Sequence, residues 1–366
     1  MGNIVRQLAI QQSSAGHRVG VASPDDVEFT TPLIDAGCKH WMWDSVRSPV
    51  RGLWSESRRL LEILRKSRPR LLHVHSAKAG LVTRYTVRGK IPTLFQPNGW
   101  SFRAGPRWVR SSAHLFELVA AKHWTDRILC VSQSEADAVA GRVDASKLTV
   151  VPNGIDLKRW NGFGYRTDCE AREELGIASG GPLVVAVGRV TRQKGPDLMV
   201  QMWPRILAAV PEARLVWAGG GDQLQEFQSR YRGDAKIDFC GPTNNPKRYF
   251  QAASVVVMPS RWEGHSLSML EALATGRPIV AFDVEGMKET IVGSLPQPLG
   301  QVVSADDLDG FADAVIATLR MSPSDAKNIS HAAISRVEEH FSFEKNCNSI
   351  EEIYLEMTAR GDRPIT

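Results

Sequence analysis

Leu183-Val184-Val185-Ala186-Val187-Gly188-Arg189-Val190-Thr191-Arg192-Gln193-Lys194-Gly195 decides the fold of this 366-residue chain. Its apolar run has the length of a strand buried on both faces, and a helical pattern over Asp197–Val210 follows it. The same grammar repeats outward. In the second half, strands are predicted at Leu183–Val190, Arg214–Ala218, Ile237–Cys240, Ser254–Pro259 and Pro278–Phe282. Helices are predicted between them at Asp222–Tyr231, Lys247–Ala253 and Ser266–Thr275, and three more follow at Ala305–Met321, Ser324–His340 and Phe343–Met357. The first half alternates likewise. Strands are expected at Val19–Ser23, Leu71–His75, Thr93–Gln96, Ile128–Ser132 and Leu148–Val151, with helices at Leu53–Lys66, Ala79–Arg88 and Ser112–Trp124. Strands and helices alternating at this spacing predict an α/β fold with parallel sheets covered on both faces. The turn Pro152-Asn153-Gly154-Ile155-Asp156 and the loose Asn161-Gly162-Phe163-Gly164 mark a boundary between two domains flanking a cleft.

Composition narrows the function. At 43% hydrophobic and 23% charged residues the chain reads as a soluble globular protein, which excludes disordered, collagenous and coiled-coil classes. No stretch reaches the ~20 apolar residues of a membrane span, and the first residues form no signal-peptide core. Five scattered cysteines without a C-x-x-C pair favour a reduced, cytoplasmic protein without a zinc site. The net charge of +5 hides a division. Residues 1–160 hold 24 Lys and Arg against 13 Asp and Glu; the remainder holds 21 against 27. The basic first half points to an anionic substrate or surface. Nucleic acid is set aside, because no helix-turn-helix, zinc-finger or RNP signature accompanies the charge.

Two loops carry chemistry. Gly188–Gly195 follows a strand, where ligands of parallel sheets gather, and offers glycine for close approach with Arg189 and Lys194 for charge. The plainer reading is a solvated basic loop. Pro259-Ser260-Arg261-Trp262-Glu263-Gly264-His265-Ser266-Leu267-Ser268 ends a second strand and opens a helix. Free N–H groups at Ser266, Leu267 and Ser268 would then form an anion site. Glu263 stands just before that helix. Glu271 sits among apolar residues on its second turn, where a carboxylate wants a partner such as a sugar hydroxyl.

Together, G-R-x-x-x-x-K-G at Gly188–Gly195 and the Glu263/Glu271 pair within P-S-x-x-E-G resemble the retaining, GT-B-fold glycosyltransferases of family 4 (glycosyl transferases group 1). Val151-Pro152-Asn153-Gly154-Ile155-Asp156 and Val216-Trp217-Ala218-Gly219-Gly220-Gly221-Asp222 agree in order and spacing. The resemblance implies two Rossmann-like domains facing a cleft: an acceptor-binding domain over 1–155, a nucleotide-sugar domain over 156–342, and a last helix, 343–366, crossing back to the first. It implies that Arg189 and Lys194 hold the donor diphosphate. Glu263, Gly264, His265, Ser266 and Leu267 line the sugar and phosphates, Gly188 gives close approach, and Glu271 binds the ribose. Glu263, Arg189 and Lys194 are the catalytic candidates. Cations and a helix terminus then replace a divalent ion, so no metal or cofactor is expected.

The first half resembles the family less closely. His73-Val74-His75-Ser76-Ala77-Lys78 resembles its acceptor-side segment and makes His75 and Lys78 candidates. Asn98, in Gln96-Pro97-Asn98-Gly99-Trp100, stands where relatives commonly have histidine. The strand that precedes the helix Gly2–Ala9 in the family is missing. The first domain is therefore expected to lack its first strand, and truncation would leave the chain poorly stable and weakly active.

The helix Leu53–Lys66 carries Arg51, Arg58, Arg59, Arg65 and Lys66 with Trp54, Leu61 and Leu64. It reads either as a peripheral contact with the inner face of an anionic membrane or as a surface helix packing Leu61 and Leu64 inward. The reading reached is a cytoplasmic enzyme moving a sugar from a UDP- or GDP-sugar to a saccharide, lipid-linked or small-molecule acceptor, in cell-surface polysaccharide or glycoconjugate synthesis. Rivals are an epimerase or phosphorylase, a non-catalytic nucleotide-sugar binder, and transfer to a small metabolite such as an aminocyclitol.

Overall fold

A computed structural model of the chain describes residues 2–44, 52–103, 106–160, 168–177, 180–293, 295 and 298–359. Arg51 and the linker Asn161–Gly164 lie outside the described residues. The chain forms two compact units, Met1–Val151 with Cys347–Thr366, and Pro152–Asn346. Among the described residues no helix is long and apolar enough to cross a membrane.

The first unit begins with α1 (Gly2–Ser14), β1 (Gly20–Ser23), α2 (Val27–Asp35), β2 (Lys39–Met42) and α3 (Leu53–Ser67). It continues through β3 (Leu72–His75), α4 (Ala77–Val87), β4 (Thr93–Gln96), α5 (Arg107–His123), β5 (Arg127–Cys130), α6 (Gln133–Asp137) and β6 (Leu148–Val150). β1 and β2 form a two-stranded parallel sheet, and β3-β4-β5-β6 a four-stranded one; no ladder joins them among the described residues. Leu94, Phe95, Ile128 and Leu129 have no exposed surface, as strands covered on both faces require.

The expectation that Leu61 packs inward is corrected here. Leu60 and Ile63 are the buried apolar residues of α3, whereas Leu61 is exposed. The inward direction is fixed by Trp43, which packs with Leu60, Ile63 and Val82 and donates its indole N–H to the Glu56 carbonyl. The stripe centred on Leu60 therefore faces in, and Leu61, one residue and about 100° further round the helix, cannot join it.

The second unit holds α7 (Leu157–Trp160), α8 (Asp168–Glu174), β7 (Leu183–Val187), α9 (Pro196–Ala209), β8 (Arg214–Ala218), α10 (Leu224–Arg230) and β9 (Ile237–Gly241). Then come α11 (Pro246–Ala252), β10 (Val255–Met258), α12 (Leu267–Ala274), β11 (Ile279–Phe282), α13 (Met287–Ile291), β12 (Gly300–Val303), α14 (Leu308–Leu319) and α15 (Pro323–His340). Its six strands run parallel in the order β12-β11-β10-β7-β8-β9. Alternation along β7 builds both faces: Leu183 and Val185 join one core with α12 and α15, Val184 and Ala186 the other with α9. Caps fix the later helices, Asp307 accepting from the Gly310 N–H and Ser322 from Asp325 N–H ahead of Pro323. The last helix, α16 (Phe343–Ala359), starts in the second unit and belongs to the first from Cys347 onward.

Candidate active site

In the second unit the chain leaves β7 to build β8 and β9 on one side, then returns to add β10 on the other. β7 and β10 are therefore the neighbours at which strand order reverses, and ligands of open parallel sheets bind beyond the carboxyl ends of such a pair. The two motif loops stand there. One follows Val187 and the other follows Met258. Between them is a small recess open to solvent, lined by Gly188, Lys194, Trp217, Pro259, Ser266 and Ser268, among others.

The loops are built into one another. Lys194 Nζ meets Glu263 Oε1 at 2.6 Å, with both side chains largely shielded from water. Gln193 donates from Nε2 to the Trp262 carbonyl (3.0 Å) and accepts the Arg261 N–H on its own carbonyl (2.8 Å). Arg261 is clamped by Asp197 through two bonds of 2.9 and 2.7 Å, and the bond pulls the Asp197 carboxyl below the usual carboxylate range. The Trp217 indole N–H holds the Gly188 carbonyl at 2.9 Å. Arg189 remains exposed, its guanidinium touching Gln193 Oε1 at 3.1 Å.

α12 opens at Ser266 without a side-chain cap, leaving its first N–H groups for a ligand beside Ser266 and Ser268 of the recess. His265 is buried. Its Nε2 bonds Thr290 Oγ1 at 3.1 Å, its carbonyl accepts from Asn153 Nδ2 at 2.8 Å, and burial drives the imidazole down to about 4, so it is neutral near pH 7. Gly264 is pressed against Gly286, where a Cβ would sit 2.5 Å from the Gly264 carbonyl oxygen. The structure thus gathers Gly188, Arg189, Lys194, Glu263, Gly264, His265, Ser266, Leu267 and Glu271 into one unit, but only Gly188, Lys194 and Ser266 of these line the recess. Sequence reading assigned no role to Gln193, Asp197, Trp217 or Asn153. Trp217, Asn153 and Gln193 lay inside motifs already noted; Asp197 gave no separate signal.

Glu271 is half-buried, and burial pushes its carboxyl up to about 7 against the opposing pull of Arg159 and Lys194. A carboxyl raised in the folded state binds its proton more tightly there. Its contribution to stability is fully present below the ordinary value of 4.5 and is lost as pH rises through about 7. Glu271→Gln, which behaves as permanently protonated, is expected to exceed wild type in stability at pH 8 and to match it near pH 4.5. Urea denaturation at both values reads this directly; a variant less stable than wild type at pH 8 would show that the ionised carboxylate is well paired.

In the first unit a directed hydrogen-bond chain runs through His73. Gln12 Nε2 donates to Tyr354 Oη (2.9 Å), the tyrosine hydroxyl donates to His73 Nδ1 (2.6 Å), and His73 Nε2 donates to Gln96 Oε1 (3.0 Å). Gln96 Nε2 then donates to Asn98 Oδ1 at 3.2 Å. Desolvation and the neighbouring His75 hold His73 well below its ordinary value, and burial drives His75 down to about 4. The two rings lie 4.0 Å apart. Asn98 adopts φ +52°, a conformation asparagine tolerates better than most residues. Lys78 pairs with Glu56 at 2.9 Å. Among the described residues no group of three or more His, Cys, Asp or Glu could hold a metal ion.

Residues 1–159 match the model of Glycosyltransferase Family 4, and residues 181–321 that of Glycosyl transferases group 1. The chain is 26% identical over 310 residues to the UDP-Gal:alpha-D-GlcNAc-diphosphoundecaprenol alpha-1,3-galactosyltransferase of Escherichia coli, covering 81% of this chain and 78% of that one. It is 32% identical over 214 residues to the lipopolysaccharide core biosynthesis mannosyltransferase LpsB of Rhizobium meliloti (strain 1021), covering 56% of this chain and only 60% of that relative's length. Among solved structures, Anabaena Alr3699/HepE in complex with UDP-glucose superposes with a TM-score of 0.79 over 97% of this chain and 95% of its own, at 16% identity.

Proposed function

The chain belongs to the family 4 glycosyltransferases, with two α/β units of the GT-B fold class, and from that premise we propose that it moves a sugar from a UDP- or GDP-sugar to a hydroxyl acceptor with retention of configuration. The observation that carries this reading is the Lys194–Glu263 pair, which joins the two motif loops beside an uncapped helix N-terminus at the strand-order reversal. Arg189, Lys194 and the first N–H groups of α12 take the donor diphosphate, and Glu263 keeps the Lys194 ammonium in the recess. Glu271, when ionised, accepts from ribose hydroxyls. As the anomeric carbon loses its bond to the phosphate oxygen, the acceptor oxygen attacks on the same face and its proton passes to the departing phosphate. The fixed cations and helix dipole offset the charge that develops there. His75, Lys78 and Asn98 belong to the acceptor side.

The acceptor proposed is a saccharide carried on a lipid or a growing glycoconjugate. This follows from the basic first half of the chain and from the names of the two relatives above, one acting on a diphosphoundecaprenol-linked sugar and one in lipopolysaccharide core synthesis. With the diphosphate held by side-chain cations, transfer is expected to proceed unchanged in EDTA. The deciding experiment is thermal stabilisation by a panel of nucleotides and nucleotide sugars, followed by transfer in EDTA with the anomeric configuration of the product read by NMR. One base raising the melting temperature identifies the donor. Stabilisation by no nucleotide, or transfer abolished by EDTA, would overturn the scheme.

A further inference from the structure

Every exposed large apolar side chain among the described residues lies in the first unit, and two are tryptophans, Trp54 at 82% exposure and Trp108 at 74%. An indole left in water forgoes the burial that normally places it inside. The two stand at matching places. α4 lies between α3 and α5, tied to the first by Lys78–Glu56 (2.9 Å) and to the second by Arg84–Glu117 (2.7 Å). Crossovers β3–α4–β4 and β4–α5–β5 within one parallel sheet put α4 and α5 on the same face, running the same way. Glu56 and Lys78 set the first turn of α3 beside the first turn of α4. Counted along the helices from these two pairs, Trp54 falls level with position 109, next to Trp108; Leu61 and Leu115 are exposed further along the same two helices.

Charge follows the same division. The buried acids of the two outer helices, Glu56 and Glu117, turn inward to the cations of α4. Outside are Arg58, Arg65, Lys66, Arg107 and Lys122, all exposed. The one remaining acid, Glu62, is paired with Arg59 at 3.2 Å. Cations interleaved with indoles and leucines, on the outside of two helices held by a recessed third, suit a surface that is anionic at its skin and apolar beneath. A soluble polyanion would engage the arginines and leave the tryptophans idle.

We propose that the outer face of α3 and α5 docks on an anionic phospholipid bilayer, Trp54 and Trp108 seating at headgroup depth while the cations meet lipid phosphates. This binding is independent of the sugar chemistry. The test is co-flotation of the full chain with vesicles of equal parts phosphatidylcholine and phosphatidylglycerol, against phosphatidylcholine alone. Binding to the anionic vesicles only is expected. Trp54→Ser/Trp108→Ser should weaken it by about tenfold or more, and Arg58→Gln/Arg65→Gln/Arg107→Gln by a similar factor, with melting temperatures unchanged because all five side chains are exposed. Should the tryptophan variant melt early, the arginine variant carries the test. No binding to either vesicle, equal binding to both, or undiminished binding in both folded variants would overturn the proposal. So would heparin capturing the tryptophan variant as well as it captures the wild type while vesicles capture neither.

Discussion

Lys194→Ala is expected to lower kcat/KM by about a hundred- to a thousandfold, the usual cost of removing one donor aimed at charge developing in a transition state. It should also abolish any rise in melting temperature with a nucleoside diphosphate. The substitution has a second effect, on folding. Lys194 is the partner of Glu263, whose side chain is only 8% exposed. Removing one member of a buried ion pair leaves a desolvated charge behind, and full burial would cost roughly 3–5 kcal/mol. Because the Lys194 side chain keeps 18% of its surface, the expected loss lies near the lower end of that range. Adding Glu263→Gln removes the orphaned charge, so the double variant should recover most of the stability and none of the activity. Urea denaturation and donor titration on both variants separate the two roles. A single variant within tenfold of wild-type activity would show that the lysine does not touch the donor phosphates.

How much of this was legible depended on burial. Arg214–Ala218 was read residue for residue, because a strand paired on both sides and covered on both faces writes a continuous apolar run, here Leu215–Ala218 behind Arg214. β2, with the sequence Lys-His-Trp-Met, and β12, with Gly-Gln-Val-Val, were both missed. Each closes the edge of its sheet and is fully buried at none of its positions, so neither writes an apolar run. The first motif strand was expected to reach Val190 but stops at Val187. Beyond it the backbone turns outward, with the Gly188 carbonyl held by Trp217 and the Val190 N–H by the Gly220 carbonyl.

At the site, the motif residues were visible as types at spacings, but their partnerships were not. Lys194 and Glu263 are 69 positions apart, and Asn153 and His265 are 112 apart. Such contacts follow from strand order, which no local window contains. The outward side of α3 was misassigned for a related reason. Leu60, Leu61, Ile63 and Leu64 define two overlapping stripes, and the packing of Trp43, just after β2, and of Val82 on α4 selects between them.

Gly195→Ala should be among the most damaging single-methyl changes in the second unit. Gly195 sits at φ +72° as the residue before α9, a left-handed conformation that costs any L side chain. Space makes it worse: a Cβ would stand 2.1 Å from the carbonyl oxygen of Pro259, backbone of the opposite motif loop that cannot rotate aside. Relief requires the two loops to part. That would draw Lys194, the preceding residue, off Glu263 and widen the recess lined by Lys194 and Pro259. We expect a loss of roughly 3 kcal/mol or more, a fall of about 6–12 °C in the melting of this unit, and loss of donor binding. Gly233→Ala is the control, since Gly233 has a similar φ of +77° and no atom within 4 Å of an added Cβ. It should pay only the backbone term, about 1 kcal/mol, with donor binding intact. Equal stability and equal donor affinity in the two variants would mean that the loops tolerate separation, and that their close approach does not hold Lys194 in place.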